Sequence, residues 1–144
     1  MADLIKLARE SIEAFNASDW ERVRGTLTTD SVEEEVATGR RMQGPQQIIQ
    51  TAQGWKSAFP DAKGTITKAF ASWNTVTQEI TREGTQTGAL EGAGGTISAS
   101  GKRVRVRAVQ VLTFEGEKLK ENHHYFDMLG LLQQIGAVPQ PQPA

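Results

Sequence analysis

Cysteine is absent from the 144 residues of this chain. Its absence excludes a disulfide framework, a thiolate nucleophile and a cysteine-based zinc site. Histidine is nearly as scarce, with only two residues, His123 and His124, side by side. Neighbouring residues on a strand point to opposite faces, so this pair is a poor chelate. We therefore expect no zinc or iron and no metal site.

The sequence also lacks an excess of either charge and a long apolar run. Its 16 basic and 17 acidic side chains give a net charge of −1, which is untypical of a nucleic-acid partner. Five charged side chains interrupt the apolar residues of the first fifteen: Asp3, Lys6, Arg9, Glu10 and Glu13. We therefore expect no signal peptide, no membrane association and a cytoplasmic protein.

Three helices are predicted in the first 60 residues. Apolar residues recur every three or four positions over 3–17, with Asp3 as N-cap. A short second helix is expected after Ser18, and a third has Pro45 in its first turn. Between the last two, "SVEEEVATG" alternates like a strand, and its three glutamates are typical of a solvated edge. One of them could still face a cavity as a second carboxylate.

The second half of the chain has strand composition. Threonine and valine dominate, three or four long antiparallel strands are expected, and a tight turn is predicted at Glu115 and Gly116. The glycine-rich "ALEGAGGTISASG" is typical of a flexible loop. Residues Met128–Ile135 are predicted to form a last helix. The pattern indicates one α+β domain, 1–136, with helices on one face of a curved sheet that encloses a pocket, and a proline-rich tail, 137–144.

Three segments, "FPDAKGTI", "REGTQTGALEG" and "GKRVRVRAVQVLTFEGEKLKENHHYFDMLGLLQQIG", carry a family resemblance. Over roughly residues 4–136 the chain resembles the SnoaL-like polyketide cyclase, or ester cyclase, group of the NTF2-like superfamily. The resemblance implies a cone-shaped α+β barrel, a hydrophobic pocket, a homodimer through the outer sheet face, and no cofactor. It also implies an aspartate acid/base at the end of the last strand, where Asp127 stands.

The resemblance implies which face of the last strand meets the pocket. Strict alternation then places His123, Tyr125 and Asp127 inside, with His124 at a solvent or interface position. With a two-residue turn at Glu115 and Gly116, Gln110 falls on the neighbouring strand and joins the pocket wall. Five candidate aromatics could wall the pocket or simply form core: Trp20, Trp55, Phe59, Trp73 and Tyr125.

Asp127 has two interpretations that are not exclusive. It precedes the predicted helix Met128–Ile135, where aspartate is a common N-cap that accepts backbone N–H bonds from the first turn. In an apolar pocket its carboxyl would instead act as general acid/base. His123 is a candidate partner, or a hydrogen-bonded wall residue without a catalytic part.

Three functions are compatible with these features. The first is a cofactor-free cyclase or isomerase that moves a proton beside a carbonyl of a small hydrophobic, polyketide- or steroid-like compound. The second is a non-catalytic binding or dimerisation module. The third, epoxide hydrolysis, needs an arginine between carboxylates inside the cavity. It ranks last because Arg103, Arg105 and Arg107 alternate onto the outer face, where Glu79 or Glu83 can pair with them.

Overall fold

A computed structural model describes residues 3–92 and 94–139, and it forms a curved sheet with helices packed against one face. The helices are α1 (Leu4–Asn16), α2 (Trp20–Gly25), α3 (Gly44–Ala58) and α4 (Met128–Gln134). The strands are β1 (Leu27–Glu35), β2 (Arg40–Gln43), β3 (Lys63–Ser72), β4 (Thr75–Thr85), β5 (Leu90–Gly92), β6 (Gly95–Ile97), β7 (Arg103–Glu115) and β8 (Lys118–Phe126). The α+β prediction is confirmed. The predicted tail, 137–144, falls partly on residues 140–144, which lie outside the described ranges.

Local signals in the sequence account for the helices. The Asp3 side chain accepts a hydrogen bond from the backbone N–H of Lys6 at 3.1 Å, which confirms the N-cap of α1. The second helix is capped by Asp19 rather than Ser18. Pro45 stands in the first turn of α3, where its missing N–H costs nothing. No described helix is long and apolar enough to cross a membrane.

Six strands form the main sheet in the order β2-β1-β8-β7-β4-β3. All neighbours are antiparallel except β1 and β8, which run parallel. The first predicted strand is therefore not an edge strand. Its outer side pairs with β2, which the sequence pattern did not reveal. The glycine-rich segment predicted as a loop contains the small hairpin of β5 and β6.

The concave face of the sheet and helices α1, α3 and α4 enclose the core. The fully buried Val76, Ile80 and Leu112 on β4 and β7 point inward, and Ala8, Ile12 and Ile48 meet them from the helices. Burying each large apolar side chain contributes roughly 1.5–3 kcal/mol. The core stops short of filling the cone, and an internal cavity remains.

Candidate active site

The cavity has a volume of about 160 Å³ and lies between the concave sheet face and α1, α3 and α4. Most of its wall is apolar, with Ile12 and Phe15 from α1 and Ile48 from α3 among the lining residues. The ionisable side chains that line it are Glu33, Glu35, Lys63, Arg82, Glu83 and His124, and the amides of Gln110 and Asn122 join them. Few polar groups in a mostly apolar pocket are typical of a ligand site.

Strand register explains how these polar groups meet. Gln78 on β4 pairs with Gln110 on β7, Gln110 with His124 on β8, and His124 with Glu35 on β1. The four inward side chains thus form one row across the sheet. Within it, Gln78 Nε2 donates a hydrogen bond to Gln110 Oε1 at 2.9 Å. The predicted position of Gln110 in the pocket wall is confirmed.

The face predicted for β8 is wrong beyond Leu119, and a β-bulge is the reason. Leu119 pairs with Phe114, but Glu121 pairs with Thr113, so Lys120 is an extra residue in the ladder. One extra residue reverses the alternation of everything that follows it. His124 therefore lines the cavity and His123 points outward, which is the reverse of the prediction.

The predicted hairpin turn is also displaced by one residue. Glu115 pairs with Lys118, so the two loop residues are Gly116 and Glu117. Gly116 has φ of +61°, in the left-handed region that such a turn requires. Turn and bulge shift the register together, and Gln110 stays inside because its own strand, β7, alternates regularly.

Asp127 caps helix α4 and does not line the cavity. Its exposed side chain accepts a hydrogen bond from the backbone N–H of Gly130, with a distance of 2.8 Å to Oδ1. The capping interpretation is confirmed. Alternation cannot carry Asp127 inward, because β8 ends at Phe126 and the chain turns into the helix. The geometry therefore gives no support to Asp127 as the acid/base group.

The carboxylate inside the cavity comes from β1 instead. Asn122 Nδ2 donates a hydrogen bond to Glu33 Oε1 at 2.7 Å. Burial, with a contribution from the nearby charge of Glu35, raises the pKa of Glu33 to about 7, against the lowering effect of Arg82 and Arg40. A carboxyl group with this pKa exchanges a proton near neutral pH, which is what general acid/base catalysis requires.

Glu35 is buried and held by three neighbours. Arg40 Nη2 and Thr38 Oγ1 donate hydrogen bonds to Oε1 at 2.7 and 2.8 Å, and Trp55 Nε1 donates to Oε2 at 2.9 Å. The ion pair with Arg40 stabilises this charge. Two carboxylates on one strand thus differ in state, since Glu35 is paired and fixed whereas Glu33 has only the amide of Asn122.

The second histidine is the ionisable group beside this pair. Burial, followed by the positive charge of Arg82, lowers the pKa of His124 well below its ordinary value. At neutral pH the imidazole is therefore uncharged, with one donor and one acceptor nitrogen. Its Nε2 is buried without a hydrogen-bond partner among the described residues. A neutral imidazole in this position can donate to an oxygen of a bound molecule.

Arg82 lines the cavity and was not among the predicted site residues. It alternates inward with Ile80 and Gly84 on β4, and its guanidinium lies 5.4 Å from the ring centroid of Phe15. The outer arginines behave as predicted. Their ion pairs measure 3.3–3.6 Å: Arg103 with Asp61 and Glu83, Arg105 with Glu83, and Arg107 with Glu79. The premise that no arginine faces inward is wrong.

Two of the five candidate aromatics line the cavity. Trp55 on α3 and Phe59 at its C-cap have ring centroids 6.2 Å apart, and Phe126 packs edge-on against Trp55 at 5.8 Å. Trp20 instead packs against Phe15, outside the cavity wall. Trp73, 97% exposed, lies in the turn after β3, and Tyr125, 44% exposed, lies on the outer face because of the bulge. As cavity residues, these last three predictions are wrong.

The fold and the cavity define an α+β cone with ionisable groups enclosed by apolar walls. The SnoaL-like polyketide cyclase family matches residues 5–135, and the chain belongs to that family. No curated protein sequence gives a significant match.

Solved structures support the same fold. AclR of Streptomyces galilaeus, a proposed hydroxylase, is 25% identical with a TM-score of 0.82, over 99% of this chain and 86% of that one. A protein of Catenulispora acidiphila with a ketosteroid isomerase-like fold is 20% identical, with a TM-score of 0.79, over 95% of this chain and 97% of that one. IdmH of Streptomyces antibioticus, a proposed polyketide cyclase, is 18% identical, with TM-score 0.79 and coverage of 94% and 99%. The likeness confirms the NTF2-like architecture.

Proposed function

We propose that this chain is an enzyme that moves a proton beside a carbonyl group, as a cyclase or isomerase, with Glu33 as the acid/base residue. One observation carries the proposal: an enclosed carboxyl in an apolar cavity, with a pKa raised to about 7 by burial. The family of polyketide cyclases supports the reaction class. We assign this role to Glu33 and not to Asp127, because the Asp127 carboxylate lies outside the cavity and caps the first turn of α4.

The reaction begins with the ionised Glu33. Its carboxylate removes a proton from the carbon beside the carbonyl, the C–H electron pair moves into the carbon framework, and the carbonyl oxygen becomes an enolate. The neutral His124 donates a hydrogen bond to that oxygen. The donor lies in a cavity walled by Phe59, Trp55 and Phe126, and these apolar rings limit competition from bulk water.

The second step returns the proton that Glu33 has taken. In an isomerisation, the carboxylic acid protonates the enolate at a different carbon. In a cyclisation, the enolate carbon forms a bond to a second carbonyl carbon of the same molecule, and the oxygen of that carbonyl takes the proton from Glu33. Either route restores the carboxylate, and neither needs a group beyond those on the cavity wall.

Deuterium exchange tests the proposal without knowledge of the natural substrate. Cyclic ketones, cyclic oxo acids and β-oxo esters are incubated with the protein in D₂O, and NMR follows the loss of the proton beside the carbonyl. We expect Glu33→Gln to slow exchange by about 10²–10⁴-fold. The matched control is Glu34→Gln, one residue along β1 on the opposite face, which should stay within about twofold.

Two results would contradict this assignment. Equal exchange rates for wild type and Glu33→Gln would remove the role of Glu33. Failure of the wild type to accelerate exchange of any panel member would favour the non-catalytic binding module instead.

A second candidate function follows from the position of Arg82. Two carboxylates and an arginine line the same cavity, which is the arrangement that epoxide hydrolysis requires. Glu33 would take a proton from a water that attacks an epoxide carbon, and Arg82 would stabilise the alkoxide formed when the C–O bond breaks. The protonated Glu33 would then give that proton to the alkoxide, which completes the diol and restores the carboxylate. Formation of a diol from an epoxide panel, lost in Glu33→Gln, would favour this function over proton transfer beside a carbonyl.

We also propose that two copies associate through the outer face of the sheet. Phe70, Thr77, Val111 and His123 form one outward row across β3, β4, β7 and β8, and Tyr125 adjoins it through Val109. Phe70 is 54% and Tyr125 44% exposed, which is unusual for such large apolar side chains. Sedimentation should show a dimer that Val111→Lys dissociates, and a monomeric wild type would overturn the proposal.

A further inference from the structure

Unpartnered polar atoms are concentrated in the cavity. Among residues 3–92 and 94–139, five buried side-chain atoms have no hydrogen-bond partner. Three of them belong to cavity-lining residues: Arg82 Nε, Asn122 Oδ1 and His124 Nε2. Native proteins leave few buried polar groups unsatisfied, and each needs an explanation. Donors and an acceptor around one space are explained by a ligand that carries oxygen atoms.

Of these three residues, Arg82 has the greatest need of a bound partner. Over the described ranges its side chain forms no hydrogen bond and no ion pair within 4.0 Å. The guanidinium rests on the face of Phe15, at 5.4 Å, and lies close to Gly64, where an added Cβ would come within 3.2 Å of Nη1. Packing therefore holds the planar group in place while its donors remain available.

The charge balance of the cavity favours an anion. Glu35 is in an ion pair with Arg40, and it acts on Arg82 through space without forming an ion pair with it. Among the described residues Glu33 forms no ion pair with Arg82 within 4.0 Å, and when Glu33 carries a proton it no longer offsets the positive charge of Arg82. A buried unpaired charge is costly, so a ligand with one negative charge would restore the balance.

We propose that Arg82 binds a carboxylate of the substrate, and that the substrates of this enzyme are small oxo acids with about one ring rather than uncharged carbonyl compounds. The inference rests on the proposed function for the oxo group, which Glu33 and His124 would serve. A guanidinium binds a carboxylate through two parallel hydrogen bonds, so it fixes orientation as well as charge. The cavity volume of about 160 Å³ suits a single ring, since a cavity of roughly 150 Å³ in another protein holds benzene.

Binding of simple ring acids tests the inference. The probes are benzoate, phenylacetate and cyclohexanecarboxylate, each compared with its carboxamide by isothermal titration calorimetry at pH 6. We expect wild type to bind each acid at least tenfold more tightly than its amide. Arg82→Gln should lose this preference. Arg82→Lys keeps the charge but cannot form the two parallel hydrogen bonds, so it should retain part of the preference. The control Arg105→Gln changes an exposed arginine of β7 and should behave as wild type.

The outcomes separate this inference from the proposed function. Glu33→Gln should bind the acids as well as wild type does, even though it exchanges no proton. An equal affinity of wild type for acids and amides, or no detectable binding of any acid at millimolar concentration, would overturn the carboxylate site. A preference retained in Arg82→Gln would overturn the role of Arg82. If Arg82→Gln does not fold, the wild-type comparison and Arg82→Lys decide the question.

Discussion

The two faces of one sheet carry the same kinds of side chain in opposite environments. His124 is enclosed by the cavity wall, whereas its neighbour His123 points outward. Glu33 is enclosed, whereas Glu34 beside it lies on the other face. The comparison teaches that residue type alone does not identify a site here. Burial without an ion-pair partner is what separates a group available for chemistry from one that stabilises a surface.

The largest expected difference between the faces is in how Glu33 affects stability. Raising the pKa of a carboxyl from its ordinary 4.5 to about 7 corresponds to roughly 3 kcal/mol. Between these two pH values the folded state holds a proton that the unfolded state has lost. Stability should therefore fall as pH rises through this window, and Glu33→Gln should remove that loss.

Denaturant unfolding from pH 4.5 to pH 8 measures the effect. His124, whose pKa is lowered, affects the pH dependence of stability with the opposite sign. The folded state holds its imidazole uncharged, so stability falls as pH falls. His124 is present in both proteins, so the difference between wild type and Glu33→Gln isolates the carboxyl. Glu34→Gln should follow the wild-type profile. Parallel profiles for all three proteins would show that Glu33 is not enclosed.

The adjacent histidines give the next largest effect. His124→Leu removes the donor for the enolate while keeping a similar volume, and deuterium exchange should slow at least tenfold. His123→Leu, on the outer face, should stay within about twofold of wild type. A slower rate in both variants, or in His123→Leu alone, would contradict the register that the bulge at Lys120 sets.

Asp127 is expected to matter for stability and not for exchange. Asp127→Ala leaves the backbone N–H of Gly130 without its partner and should lower the free energy of unfolding by about 1 kcal/mol. Asp127→Asn, which can still accept that hydrogen bond, should lose less. Exchange rates should equal wild type in both variants, and a rate loss in the folded Asp127→Asn would restore the role that the family resemblance implied.

The architecture could be predicted from local patterns. Helical spacing and caps predicted α1 and α3, and threonine- and valine-rich alternation predicted the long strands, since these signals depend on a residue and its near neighbours. Trp55 and Phe59 were placed correctly because an i, i+4 pair on a helix must share a face. The same holds for the outward arginines of β7, which alternates without interruption.

The site depended on features that are not local. Alternation predicted the wrong face of β8 because a bulge inserts one residue. The sequence around Lys120 gives no signal of that bulge. The glutamates of β1 resembled a solvated edge, and β2 and β8 on either side of them change that conclusion. One signal was present for Arg82, which is in phase with Val76, Gln78 and Ile80, all inward-facing. A lone arginine in an apolar phase is a candidate for a site.

The smallest expected effect lies on the outer face. Arg107 pairs with Glu79 at 3.4 Å, and its side chain is 79% exposed, so solvent and salt screen the interaction. Arg107→Gln should change the free energy of unfolding by no more than about 0.5 kcal/mol. Because Arg107 adjoins the surface proposed to join two copies, the measurement is made at two protein concentrations. A loss that grows on dilution would place Arg107 within the dimer interface, and a larger loss that is independent of concentration would contradict the weak surface pair described here.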